Sequence, residues 1–125
     1  MEKRFKIVKG IILMEEIIER LKNKTFTEED IERLYNYYKN SENKDLSLLK
    51  EIENMRRFIS VVNSQSLYSI MFITKYIGCT TLYQKANYLF SAYKGFNNIV
   101  HIQGFSKSNY DFELNYKNIM GCLLN

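Results

Sequence analysis

Residues 99–116 read IVHIQGFSKSNYDFELNY. Val100, Ile102 and Gly104 alternate with His101 and Gln103, and Tyr110, Phe112, Leu114 and Tyr116 alternate strictly with Asp111, Glu113 and Asn115. A period of two is what a half-buried strand requires, and the polar Ser106-Lys107-Ser108-Asn109 between the runs can turn. The expectation is a C-terminal β-hairpin in a chain that is otherwise patterned for helix.

Upstream of this stretch, Gly95 ends a helix over about residues 82–94, capped by Thr80 or Thr81. Before it, Gly78 can stop a short helix over residues 67–77 as a left-handed residue, so only a Gly-Cys-Thr link separates the two helices. Asn63-Ser64-Gln65-Ser66 breaks the pattern from an earlier helix over about residues 45–62, whose core side would hold Leu49, Ile52, Met55, Ile59 and Val62. Thr27 followed by Glu28, Glu29 and Asp30 is an N-cap with an acidic first turn, opening a helix to about Lys39 with Ile31, Leu34, Tyr35 and Tyr38 on one side. Residues 41–44 form a polar connector.

At the N-terminus Ile7, Ile11, Met14, Ile18 and Leu21 recur at 4-3-4-3 spacing, widened by Ile12, Leu13 and Ile17. A helix apolar over so much of its circumference is central to the core or shared with a second subunit. These five residues are the candidate homodimer seam, with plain intrachain packing as the alternative.

The element order over residues 45–116 is helix, helix, tight turn, helix, hairpin. The fold class expected is mainly α with a C-terminal β-hairpin: a winged helix-turn-helix preceded by two N-terminal helices, within a single domain over 1–125. Residues 1–40 are its N-terminal helical part. In a winged helix the third helix enters the major groove and the hairpin reaches the adjacent backbone. Here Leu82, Ala86, Leu89 and Tyr93 fall on the core side of that helix. Thr80, Thr81, Tyr83, Gln84, Lys85, Asn87, Tyr88 and Ser91 are left as candidate duplex contacts, with Lys107 at the hairpin tip adding a phosphate contact.

Through Tyr76-Ile77-Gly78-Cys79-Thr80-Thr81-Leu82 and the run from Ile99 to Tyr116, the chain resembles the winged-helix regulators of the MarR and SarA type. The resemblance implies dimeric recognition of duplex DNA by residues near Thr81, Gln84 and Lys85. The tip Ser-Lys-Ser-Asn lacks the acidic and arginine residues common in those families, and no long dimerisation helix is expected after Tyr116. The chain is also similar in outline to the small winged-helix adaptors of plasmid segregation or replication.

Charge distribution points the same way. The formal net charge is +4, yet residues 1–53 hold eleven Lys or Arg against twelve Asp or Glu. From Asn54 to Tyr110 there is no carboxylate, while Arg56, Arg57, Lys75, Lys85, Lys94 and Lys107 are all basic. A surface that lies against phosphates excludes carboxylates, although a largely buried segment would also be poor in them.

Catalysis is not expected. His101 is the single histidine, and no Gly-rich phosphate loop, paired acid and base carboxylates or metal-ligand cysteine spacing occurs. No cofactor is implied. Two cysteines, Cys79 and Cys122, are too few for a disulfide framework, so the cytosol is the expected compartment. The apolar run from Ile11 is interrupted at Glu15 and Glu16, which excludes a signal peptide, and residues 67–77 are too short to span a bilayer. The absence of Pro and the abundance of Ile, Lys, Asn and Tyr fit AT-rich coding of the kind found in low-GC bacteria, their plasmids and phages, or some large viruses.

Two functions follow from these patterns. One is sequence-specific duplex DNA binding, as a transcriptional regulator or a phage or plasmid replication or segregation adaptor. The other is a small phage- or virus-encoded inhibitor or adaptor that binds a host protein, using the tyrosines at 35, 37, 38, 68, 83 and 88. A basic outer side on residues 81–91 would favour DNA; an apolar surface would favour a protein partner.

Overall fold

Helix α3, Leu46–Asn63, is the element around which the others assemble. The structure is a computed structural model that describes residues 13–65, 67–92 and 103–125, with the backbone alone over 67–70. Helix α1 covers residues 13–22, α2 is Glu28–Lys39, α4 is Leu67–Lys75, α5 is Leu82–Ser91 and α6 is Phe112–Leu124. α3 packs mainly on α2 and α6 and also meets α5; α5 in turn contacts α4 and α6.

The starts of α2, α3 and α5 follow from their caps. Thr27 and Asp30 form a reciprocal capping box on α2, Asp45 accepts from the Leu48 N–H on α3, and Thr81 and Gln84 repeat the capping box on α5. These polar side chains take up N–H groups that the first helical turn cannot bond internally. α3 ends where Ser64 and Gln65 donate side-chain hydrogen bonds to the Val61 carbonyl.

Leu48, Ile52, Met55, Ile59 and Val62 line the buried side of α3 at 4-3-4-3 spacing, joined by Phe58. The expected start of that stripe, Leu49, is only half-buried. Both Leu48 and Leu49 fit a helical stripe ending at Ile52, and the pattern read to its end selects Leu48. Phe58 is fully buried with ring centroids of Phe90, Phe105, Tyr110 and Phe112 at 5.6, 5.5, 5.1 and 5.3 Å, so one side chain ties α3 to α5, α6 and the segment between them.

The C-terminal hairpin and the winged helix-turn-helix built on it are not present: among the described residues there is no strand, and 112–124 is helix α6. Asp111 caps α6 by accepting from the Leu114 N–H at 3.1 Å, and Phe112, Asn115, Tyr116, Ile119 and Met120 face inward at i, i+3, i+4, i+7 and i+8. Leu114, a partner in the apparent alternation, is 54% exposed. The alternation of Phe112 and Tyr116 is equally an i, i+4 pair, and Ile119, Met120 and Leu123 extend it at helical period, which the shorter window hid. Residues 106–109 do turn, with the Tyr110 N–H donating to the Ser106 carbonyl at 2.8 Å, but the turn leads into a helix. The other limb of the expected hairpin, Val100 to Ile102, lies outside the described residues, as does His101.

Polar groups buried with α6 are all engaged. Asn115 donates to the Glu51 carbonyl at 2.8 Å and its carboxylate at 2.7 Å, and accepts from the Tyr110 hydroxyl at 2.7 Å. Burial, with Glu51 and Asp111 nearby, pushes the Tyr110 phenol well above its ordinary value, so it remains a donor. The Tyr116 hydroxyl donates to the Leu21 carbonyl at 2.6 Å and fastens α6 to the end of α1.

Of the five seam residues, Ile7 and Ile11 lie outside the described residues. Leu21 is fully buried in the chain's own core, whereas Met14 and Ile18 are half-buried. No helix among the described residues is long and apolar enough to cross a membrane.

Candidate functional site

α4 carries the sequence LYSIMFITK and is followed at its C-terminal end by the turn residues Tyr76-Ile77, so most positions from 67 to 77 are apolar and periodicity alone does not choose an inward side. Packing chooses it: Ile73 is fully buried and meets the core, while Met71, Phe72, Tyr76 and Ile77 are 52%, 40%, 72% and 42% exposed. Half of the large hydrophobics exposed among the described residues are therefore gathered within seven positions; Tyr37, Leu46, Leu114 and Leu124 account for the others. The Phe72 and Tyr76 rings lie 5.6 Å apart, and the Lys75 ammonium sits 5.9 Å from the Tyr76 ring centre. The result is a ridge of thioether, aromatic and branched side chains with one cation at its edge.

The ridge ends where Gly78 takes a φ of +84°, a left-handed conformation that side chains disfavour. The Cys79 N–H then donates to the Ile73 carbonyl at 3.0 Å, turning the chain back towards α5. Cys79 is buried and its thiol is pushed up by burial, opposed by Lys85; Cys122 is exposed, and the two are not bridged.

α5 places the candidate duplex contacts differently from the expectation. Gln84 Oε1 accepts from the Thr80 N–H at 2.8 Å and the Thr80 hydroxyl at 3.0 Å, while its own N–H donates to Thr81 Oγ1 at 3.1 Å. Thr80, Thr81 and Gln84 are thus joined in the helix cap. Tyr83 points inward rather than outward, 8% exposed, with the rings of Tyr116 and Phe112 at 5.0 and 5.2 Å. Its position, i−3 from Ala86 and i−7 from Phe90, continues the buried stripe once α6 covers that side. Burial, with Glu113 and Tyr116 nearby, raises its phenol.

Farther along α5, Asn87 donates to the Glu113 carboxylate at 3.3 Å, Ser91 to Asn87 at 3.3 Å, and the Lys107 ammonium to the Ser91 carbonyl at 3.2 Å. Tyr88 is half-buried against the core and Lys85 is half-buried beside the cap. Glu28 of α2 shares a cavity with Thr80, Thr81 and Lys85, and Asp111 and Glu113 share one with Ser91 and Lys107. The segment free of carboxylates in sequence is therefore rimmed by carboxylates in space, supplied by α2 and α6.

Among the described residues no group of three His, Cys, Asp or Glu side chains could hold a metal ion. The sequence reading of residues 67–77 as a short helix before the Gly78 turn does not single out this exposed ridge; the clustering of Met71, Phe72, Tyr76 and Ile77 around a single inward Ile73 is the signal that does. No family model matches the chain, and neither a curated protein nor a solved structure matches it.

Proposed function

We propose that this chain is a non-catalytic binding protein that docks a partner protein through the apolar ridge of α4. The observation that carries the reading is the exposure of Met71 and Phe72 on α4 together with Tyr76 and Ile77 in the turn that follows it. Exposed apolar groups of this size cost free energy in water and regain it when a partner covers them, and Met and aromatic residues are the types enriched at such contacts. The partner this surface suits is an apolar groove with carboxylates at its rim: Lys75 borders the ridge, and no carboxylate occurs in sequence from Asn54 to Tyr110. Phe72→Asp or Tyr76→Asp should weaken binding to the partner by about 2 kcal/mol or more, the range of a buried aromatic anchor, while the far-ultraviolet circular dichroism stays unchanged. Equal affinity of these variants and the wild type would overturn the reading.

A second reading, duplex DNA binding by the start of α5, is favoured by Lys85 beside the exposed Thr80 and Gln84. It predicts anisotropy-detected binding that falls steeply with salt and loses about one unit of log–log slope in Lys85→Ala. Glu28 and Glu113 beside that surface, and the apolar character of α4, make the protein-docking reading the better supported of the two. Absence of duplex binding at low salt would eliminate the second reading.

A further inference from the structure

Arginine placement singles out one more site, on α3 rather than α4 and independent of the docking reading. Among the described residues Arg20 is paired with Asp30 at 2.8 Å, Arg33 with Glu29 at 2.6 Å and Arg56 with Glu32 at 2.7 Å. Arg57 has no carboxylate within ion-pairing distance among those residues. Its guanidinium lies over the ring of Phe105, 5.2 Å from the centroid, and Phe105 is itself buried. Gly104, at φ +92°, brings its backbone alongside, so that a Cβ there would stand 3.9 Å from Arg57 Nη2. The guanidinium is thus held by ring stacking and close backbone rather than by a counter-ion.

Arg57 opens onto a cavity of about 290 Å³ that Arg56, Ser60 and Gln103 also line. Glu32 lines it too, but its carboxylate accepts from Arg56 Nε at 2.7 Å, and the Arg56 guanidinium is further held over the Tyr35 ring at 4.6 Å. Ser60 follows Arg57 by three positions on α3, which puts both on one side of the helix. The cavity therefore gathers a guanidinium fork with no carboxylate partner, a second guanidinium, a hydroxyl and a primary amide.

The geometry points to a binding site for a phosphoryl group carried by a small phosphomonoester. A planar fork matches two oxygens of an oxyanion. A carboxylate has only two oxygens to share among the fork, the hydroxyl, the amide and the second guanidinium, whereas a phosphomonoester has three terminal oxygens to distribute among them. The two arginines and Glu32 leave the lining with a net positive charge, which suits a dianion.

The test is a titration of the full chain followed by ¹H–¹⁵N correlation spectra, with inorganic phosphate and phosphoserine at constant ionic strength set by chloride. Saturable shifts of the Arg57 side-chain Nε–H and the Ser60 and Gly104 amides are expected, with a Kd of about a millimolar. Arg57→Ala should raise that Kd by about tenfold or more, and Arg57→Lys, which keeps the charge and loses the fork, should fall between. Because Arg57 is exposed, spectral dispersion in both variants reports directly that the fold is retained. Shifts that do not saturate, that chloride reproduces, or that persist in Arg57→Ala would overturn the site. Saturation of the same signals by a short DNA duplex but not by phosphoserine would overturn the monoester assignment in favour of backbone phosphate.

Discussion

Phe58→Ala should lower the unfolding free energy by about 3–5 kcal/mol, the largest effect expected of any single substitution in this chain. Phe58 is fully buried and, among the described residues, four aromatic rings from three other parts of the chain close around it, so the vacated volume cannot be filled by relaxing one neighbour. A domain of this size has about 5–15 kcal/mol in total, so the variant should unfold at much lower urea concentration with an unchanged slope. Leu46→Ala is the control: Leu46 is 72% exposed at the start of the same helix and should change stability by no more than about 0.5 kcal/mol. A loss below about 1 kcal/mol for Phe58→Ala would mean that α3 is not the centre of the core.

The second large effect concerns Asp30, which is buried on α2 and held by Arg20 through two hydrogen bonds of 2.8 Å and by the Thr27 N–H at 3.1 Å. Burial alone would raise this carboxyl, but the hydrogen bonds from Arg20 and Thr27 outweigh it and hold it below its ordinary value. A group depressed on folding stabilises the native state when ionised. That contribution is complete above the unfolded value of about 3.9 and is lost as pH falls through the lower native value. Asp30→Ala removes the pair and the reciprocal cap together and should cost about 2 kcal/mol at neutral pH, a figure at the low side because Arg20 is partly exposed. Asp30→Asn should show a matching loss at pH 7 that narrows towards the wild type below about pH 4. Urea melts at a series of pH values follow the difference, and a gap that stays constant into acid would refute the assignment.

The helical frame was legible wherever a cap preceded an apolar period. Thr27, Asp45 and Thr81 each sit where a side-chain oxygen must take up free N–H groups, and each opens the helix expected there. Asp111 does the same for α6, but Phe112, Leu114 and Tyr116 satisfy a two-residue and a four-residue period over so short a window that the competing strand pattern won. Ile119, Met120 and Leu123, beyond Tyr116, distinguish the two. The error propagated to function. With no wing, Lys107 is not a hairpin tip but a donor to the end of α5, and α6 brings Glu113 onto the surface that looked free of carboxylates. Tyr83 was misplaced for the same reason, since the ring cluster that buries it is contributed by Phe112 and Tyr116. The exposed ridge was hidden for a different reason. In a helix with apolar residues all around, only tertiary packing decides which ones remain outside.

Site-specific photo-crosslinking tests the docking surface most directly. A photoreactive aromatic amino acid placed at position 72 or 76 in the full chain, with the exposed position 117 of α6 as the reference, should give one discrete protein adduct from 72 and 76 that is absent from 117. The partner so identified should lose affinity for the purified chain by about thirtyfold or more when Met71 is replaced by Asp. Adducts of equal yield from all three positions, adducts only with a second copy of this chain, or adducts only with duplex DNA would contradict the account.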